Sequence, residues 1–163
     1  MKVETSRFGT IEAGEEDLVR FGSGIIGFPT EKQFILIPHA NSSVIAWLQS
    51  VQTPGLAFPV VSAHGLIADY PDVSIAEVAD RYGIPGNPDE LAVLVVLSAP
   101  RNQPATVNLL APLVVSSTER KGAQVFLDGS RFTTRELFVL PDPKLRQAEA
   151  ENDSEAPAEA AAV

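Results

Sequence analysis

The stretch NLLAPLVVSSTERKGAQVFLDG, residues 108–129, decides how the fold is interpreted. It contains two apolar runs joined by a charged loop, and it has no Cys, no His and no obvious nucleophile. Residues 113–117 and 123–127 predict two strands, because β-branched and aliphatic side chains suit a pleated, half-buried surface. Residues 118–122 predict a hairpin loop in which Gly122 can take a positive φ. The stretch therefore indicates a β-hairpin in a core, with Asn108 as a buried turn former or a contact residue.

Short β-type runs also precede this stretch, separated by segments rich in Pro, Gly, Asn or Asp. They are QFILI at 33–37, VIAWLQSV at 44–51, LAFPVV at 56–61 and LAVLVVLS at 91–98. Val3, Phe8 and Ile11 predict a first hairpin that turns near residues 7–9. The chain has 13 prolines, and their positions between these runs fit strands and turns better than long helices.

One segment instead has helical periodicity. Ser74 and Glu77 match a capping box, in which each side chain satisfies a free amide at a helix start. Apolar residues follow at i, i+3, i+4 and i+7: Ile75, Val78, Ala79 and Tyr82. Gly83 suits the left-handed position after a helix. We predict a short amphipathic helix at about residues 75–82, packed on the sheet.

Many strands with one helix, and no regular βαβα alternation, predict an all-β fold: a small antiparallel β-barrel or roll. The 163 residues are enough for one domain with a proper core. The chain has no cysteine, which excludes disulfides and thiolate catalysis. The first residues lack the apolar region of a secretory signal, and no apolar run reaches the roughly 20 residues of a membrane helix. We therefore expect a soluble, cytoplasmic protein.

The C-terminal segment QAEAENDSEAPAEAAAV, residues 147–163, is low-complexity and lacks aromatic residues. This composition predicts disorder, so we divide the chain into a domain at 1–143 and an acidic disordered tail at 144–163. Five acids and no base follow Arg146, whereas the body carries 16 acids and 12 bases, within a total net charge of −9. This balance disfavours direct binding to nucleic acid, which needs clustered Lys and Arg.

The sequence carries no enzyme signature. Residues 22–27, GSGIIG, formally match the dinucleotide pattern G-x-G-x-x-G, but that site requires a helix to follow. Pro29 disfavours helical geometry at Phe28, so we interpret this segment as a turn. His39 and His64 have no metal-ligand spacing. We predict no enzymatic activity, no metal and no cofactor.

Several segments, taken in order, resemble the flagellar assembly factor FliW family. They are MKVETSRFG at 1–9, GIIGF at 24–28, WLQSV and LAFPVV at 47–51 and 56–61, and NLLAPLVV with RKGAQV at 108–115 and 120–125. The resemblance covers roughly residues 1–135. It implies a small barrel-like β-domain without catalysis or a cofactor, and two protein partners. The partners are flagellin and the RNA-binding translational regulator CsrA. In that scheme the protein sequesters CsrA, which allows flagellin mRNA to be translated, and newly made flagellin then displaces CsrA.

Two sets of residues are candidates for partner contacts. Acids near the predicted helix could meet basic groups on CsrA: Asp69, Asp72, Glu77 and Asp80. Helix capping and solvation are the alternative explanation for these acids. Trp47 and Phe58 could anchor flagellin, because aromatic side chains often dominate interfaces, and core packing is the alternative explanation for them. Asn108 stays ambiguous. Two other functions remain open: a β-barrel interaction domain with other protein partners, and a flavin- or nucleotide-binding β-barrel enzyme.

Overall fold

The computed structural model describes residues 1–64 and 67–139. Its strands are β1 (Lys2–Thr5), β2 (Gly9–Glu12), β3 (Leu18–Phe21), β4 (Gln33–Pro38), β5 (Ile45–Ser50), β6 (Ala57–Ser62), β7 (Leu91–Ser98), β8 (Thr106–Val107), β9 (Leu113–Ser116), β10 (Lys121–Gln124) and β11 (Glu136–Leu137). The helix α1 spans Ile75–Arg81, and short 3-10 helices span Glu15–Asp17 and Pro88–Glu90. The predicted tail and the boundary at 143 lie outside the described residues.

Seven strands close into a barrel, in the order β7-β6-β5-β4-β3-β10-β9 with β9 returning to β7. The pairings are antiparallel except for β3 with β10, which is parallel. Closure leaves these strands without free edges. The predicted small, mainly antiparallel β-barrel with one short helix is therefore confirmed.

Strands β6 and β7 are buried on both faces over most of their length, which explains why their sequences are nearly continuous apolar runs rather than alternating ones. In β7, Leu94 and Val96 point into the barrel with Phe34 and Phe58. Val95 and Leu97 belong instead to a second cluster outside the barrel, together with Val107. Burial of apolar area on both sides is the main stabilising contribution to such a sheet.

Three elements cover the outside of the barrel. The hairpin β1–β2, predicted to turn near residues 7–9, packs Val3 on Leu18 and Ile35. The segment around β8 and β11 covers Val95 and Leu97. Helix α1 covers the β9–β10 hairpin through Val78 and Ala79. Because these three elements cover separate parts of the barrel, grooves remain between them.

The predicted helix is confirmed, with its start and end set by local hydrogen bonds. The hydroxyl of Ser74 accepts a hydrogen bond from the Glu77 amide at 3.4 Å, as expected for the first half of a capping box. Gly83 follows the helix with φ of +77°, the left-handed geometry that glycine adopts without strain.

The second strand of the opening stretch was predicted wrongly. It occupies Lys121–Gln124 rather than residues 123–127, and its partners are β9 and, in parallel, β3. The residue with left-handed geometry is Arg120, at φ of 55°, and not Gly122. Arg120 donates to the Leu18 and Asp17 carbonyls at 3.3 and 3.0 Å. These long-range bonds hold the loop against β3, which a reading of the hairpin alone could not predict.

Candidate protein-binding surface

The two aromatic side chains proposed as anchors are both buried. Phe58 is 0% exposed inside the barrel, where it packs edge-on against Phe28. Trp47 is 3% exposed and lies under the first hairpin, with the Arg7 guanidinium 4.4 Å from its ring centroid. Core packing therefore accounts for both side chains in this structure, and neither presents a surface to a partner.

Asp72 links the segment before α1 to residues 130–131 by hydrogen bonds. Its carboxylate accepts hydrogen bonds from the Ser130 hydroxyl at 2.7 Å and the Arg131 amide at 2.9 Å. The hydrogen bond from the Arg131 amide, and after it the bond from the Ser130 hydroxyl, hold the pKa of Asp72 below its usual value, and the charge of the Arg131 guanidinium acts in the same direction. Asp72 therefore supports the fold through bonds to residues 130 and 131, and not through the helix capping or solvation given as the alternative to a partner contact.

The other three acids are exposed. Asp69 has a side chain that is 86% exposed and lies 3.9 Å from Arg131. Glu77 and Asp80 lie on the exposed side of α1. They stay candidate contacts.

Asn108 forms a buried turn. It is 1% exposed, and its side-chain oxygen accepts a hydrogen bond from the Ala111 amide at 2.9 Å. Its backbone amide donates to the Val96 carbonyl at 3.0 Å. The side chain therefore shapes the entry into β9 and is buried away from partners.

The structure brings together a groove that the sequence analysis missed. It lies between the glycine turn at residues 22–29, the end of α1 and strand β10, and it encloses about 500 Å³. Three large apolar side chains are exposed there or beside it: Ile26 at 49%, Tyr82 at 45% and Phe126 at 51%. Adjacent exposed apolar side chains are typical of protein-binding sites, whereas single ones are ordinary. We call the groove and these three side chains the groove surface.

Hydrogen bonds hold the groove surface in one arrangement. The Gln124 side chain accepts from the Ile26 amide at 2.8 Å and donates to the Ala111 carbonyl at 3.0 Å. The Tyr82 hydroxyl accepts from the Phe126 amide at 3.0 Å. The glycine turn, the helix end and the hairpin are therefore linked, so their apolar side chains form a preorganised surface.

The glycine turn itself needs glycine. Gly24 has φ of +70°, and a Cβ there would lie 2.5 Å from the Phe28 carbonyl oxygen. The chain turns at residues 22–30 and continues into β4 without a helix. The turn interpretation is confirmed, and the helix N-terminus that a dinucleotide pyrophosphate would require does not follow it.

Two cationic side chains lie next to each other on one wall of the groove. Arg20 and Lys121 are register partners on the adjacent strands β3 and β10, and both line the groove. Their side chains are 46% and 58% exposed. Each cation is paired with an acid, Arg20 with Glu15 at 2.5 Å and Lys121 with Glu119 at 3.5 Å, so this wall of the groove carries two exposed ion pairs beside its apolar part.

Other kinds of site are not formed by the part of the chain that the structure describes. Within residues 1–64 and 67–139, no group of three or more His, Asp or Glu side chains is placed to hold a metal ion. No helix in those residues has the length and apolar character needed to cross a membrane.

Comparison with known proteins places this fold in a family. Residues 2–138 match the family model described as FliW protein. A flagellar assembly factor FliW from Heliobacterium modesticaldum is 38% identical over 136 residues, covering 83% of this chain and 88% of that relative. One from Geobacter sulfurreducens is 37% identical over 141 residues, covering 85% and 86%. A crystal structure of the flagellar assembly factor FliW superimposes with a TM-score of 0.74 at 33% identity, covering 86% of this chain and 98% of the other.

Proposed function

Because the chain belongs to the FliW family of flagellar assembly factors, we propose that it binds two proteins, flagellin and the translational regulator CsrA. Bound to CsrA, it relieves repression of flagellin mRNA translation. Bound to flagellin, it releases CsrA again. The protein thereby acts as a switch between partners, without catalysis.

The groove surface is the observation that supports a binding role. It exposes Ile26 and Tyr82 in the lining of the groove and Phe126 beside it. Hydrogen bonds fix the segments that carry them. Large apolar and aromatic side chains of this kind supply most of the binding free energy at protein interfaces. The surface also includes residues of two segments that carry the family resemblance, 24–28 and 120–125.

The acidic surface supports CsrA as the second partner. A protein that binds RNA presents Lys and Arg clusters, and complementary charge speeds association with such a surface. Asp69 is exposed and free of fold-supporting bonds other than its long contact with Arg131. Together with the exposed Glu77 and Asp80, it is therefore suited to meet a basic partner.

Competition between purified proteins tests the proposal. A complex of this protein with CsrA is formed first, and flagellin is then titrated into it while free CsrA is followed by size-exclusion chromatography. We expect flagellin to release CsrA in a saturable way, and calorimetry to detect heat for each partner alone. Absence of heat with both partners would contradict the proposed function.

A further inference from the structure

We propose that the hairpin formed by residues 1–13 is a cover that opens as one unit while the barrel stays closed, and that its opening uncovers an apolar face that includes Trp47. The inference does not rest on the proposed function, because it concerns only how two parts of this chain are joined.

The hairpin lies outside the hydrogen-bonded sheet of the barrel. Among the described strands, β1 and β2 pair only with each other, whereas the remaining strands form one nine-stranded sheet. Within the described residues, one backbone hydrogen bond joins the hairpin to the rest of the chain, from the Ser6 amide to the Pro54 carbonyl at 2.9 Å. A two-stranded hairpin is at best marginally stable on its own in water. Its attachment therefore depends on its side chains.

Those side chains cover the outer face of β3, β4 and β5. Val3 and Ala13 of the hairpin share one buried cluster with two barrel residues, Leu18 and Ile35. The cluster is small: among the described residues it holds four buried side chains, whereas the cluster that includes Val107 of β8 holds nine. Less apolar area thus holds the hairpin on the barrel than holds the β8 segment.

The tip of the hairpin covers Trp47. The ring of Phe8 meets the Trp47 ring edge-on, with centroids 6.2 Å apart, and the Arg7 guanidinium lies 4.4 Å from the Trp47 centroid. Trp47 is 3% exposed in the closed arrangement. Withdrawal of the tip would remove both contacts and bring the Trp47 ring towards solvent.

The cover on the opposite part of the barrel is attached by strand pairing as well as by packing. Strand β8 pairs with β7 through Val107 and Thr106, and the Asn108 amide donates to the Val96 carbonyl at 3.0 Å. Segments with few hydrogen bonds and few apolar contacts to the rest of a protein open below the free energy of global unfolding. The hairpin is therefore the cover that opens first.

Hydrogen exchange of the full-length wild-type protein tests whether the hairpin opens as one unit. NMR follows the amides of Val3, Ile11 and Ala13 and compares them with the amides of β5. We expect the three hairpin amides to share one protection factor, smaller than that of the most protected β5 amides by about a hundredfold or more. Low urea should change it little, because little surface is exposed on opening. Protection that is graded along the hairpin, or equal to that of β5, would contradict the proposal.

A covalent lock supplies the converse test. A Cβ on Gly55 would lie 3.7 Å from the Ser6 hydroxyl oxygen, so Ser6→Cys with Gly55→Cys brings two thiols within disulfide range. Oxidation should slow exchange of the hairpin amides about tenfold or more, and reduction should restore it, with the β5 amides unchanged. Unchanged hairpin exchange in protein whose disulfide is confirmed by mass spectrometry would count against opening.

A thiol placed beneath each cover tests whether the apolar face is uncovered. The chain has no cysteine, so an introduced thiol is the only one. Ile35→Cys lies beneath the hairpin, and its matched control Ile45→Cys lies in the cluster that includes Val107; the two isoleucines are 3% and 2% exposed. We expect the thiol at position 35 to react with a soluble aromatic disulfide about tenfold or more faster, at a rate that low urea changes little. Equal rates that rise equally steeply with urea would show that only global unfolding uncovers this face, and would overturn the proposal.

Discussion

The ring of Phe21 occupies the space that a side chain at position 122 would need. A Cβ on Gly122 would lie 2.7 Å from Cζ and 2.8 Å from Cε1 of Phe21. The two residues are register partners on β3 and β10, and Phe21 is fully buried in the barrel interior. The glycine is therefore needed for close approach of a ring across the parallel pair, not for a turn.

Gly122→Ala is expected to destabilise the protein by about 1–3 kcal/mol, the usual cost of overpacking a core. Urea denaturation measures the loss. Gly55→Ala is the matched control, because a Cβ there meets only the Ser6 hydroxyl, at 3.7 Å. Shortening the ring with Phe21→Leu should make the alanine better tolerated. Simple additivity of the two changes would argue against the steric explanation.

The apolar part of the groove surface is tested by Ile26→Ser combined with Phe126→Ser. If the groove surface is a partner interface, we expect at least a tenfold loss of affinity for one of the two proposed partners, since truncation of a hot-spot side chain costs about 2 kcal/mol or more. Leu137→Ser is the control, because Leu137 is 77% exposed but lies on β11, outside the groove surface. Calorimetry gives the Kd, and an equal loss in the control would show that the effect is not specific to the groove.

Charge reversal should separate Asp69 from Asp72. Asp69→Lys removes an exposed acid, so we expect weaker CsrA binding. The melting temperature should change only slightly, because the exposed 3.9 Å contact of Asp69 with Arg131 contributes little to stability. Asp72→Lys removes the acceptor for Ser130 and Arg131 and places two cations together, so the melting temperature should fall. Thermal denaturation and calorimetry on both variants check this. Unchanged CsrA affinity in Asp69→Lys would remove the acidic contact.

The contribution of Asp72 to stability should depend on pH. Its hydrogen bonds lower the pKa of the folded state, so the carboxylate form is the stabilising one. That contribution is complete above the unfolded pKa of about 3.9 and is lost as the pH falls through the lower folded pKa. The difference in urea midpoint between wild type and Asp72→Asn should therefore be constant from pH 7 to pH 5 and shrink below about pH 4. A pH-independent difference would point to geometry instead of charge.

Deleting residues 147–163 should leave the melting temperature nearly unchanged. All the strands and the helix described for this chain end by Leu137, so the deletion removes none of these elements. A decrease of several degrees would show that the tail packs on the barrel. Thermal unfolding followed by circular dichroism is sufficient for this comparison.

The sequence predicted the barrel and the helix because their signals are local. The run LAVLVVLS became β7 without any shift of its ends, and the Ser74 cap and Gly83 bounded α1. Strands β8 and β11 went unpredicted because two residues carry too little pattern, and the four-residue strand β3 also went unpredicted. In the sequence, Lys121 and Gly122 have the character of loop residues, and only their pairing with β3 places them in a strand. The position of β10 therefore follows from a contact with residues far away in the chain.

The binding surface was harder to predict, for a physical reason. Trp47 and Phe58 are large aromatic residues, and composition alone cannot distinguish an interface anchor from a core residue. Phe126 did carry a signal: Val125 and Leu127 on either side are buried, which places Phe126 outward. Its neighbours Ile26 and Tyr82 come from distant segments, so the groove surface exists only after folding.

The parallel pairing of β3 with β10 also controls when the barrel can be completed. The Arg120 side chain donates to the Asp17 carbonyl, which lies 103 positions earlier in the chain. Strand β3, which follows Asp17, is therefore synthesised long before β10. At synthesis rates of about 5–20 residues per second, roughly 5–20 seconds separate the synthesis of β3 from that of β10, the strand that pairs with its second edge. The seam of the barrel is therefore the last part to form during translation. The groove surface, which is built across that seam, becomes competent for binding only when nearly all of the described chain has been made.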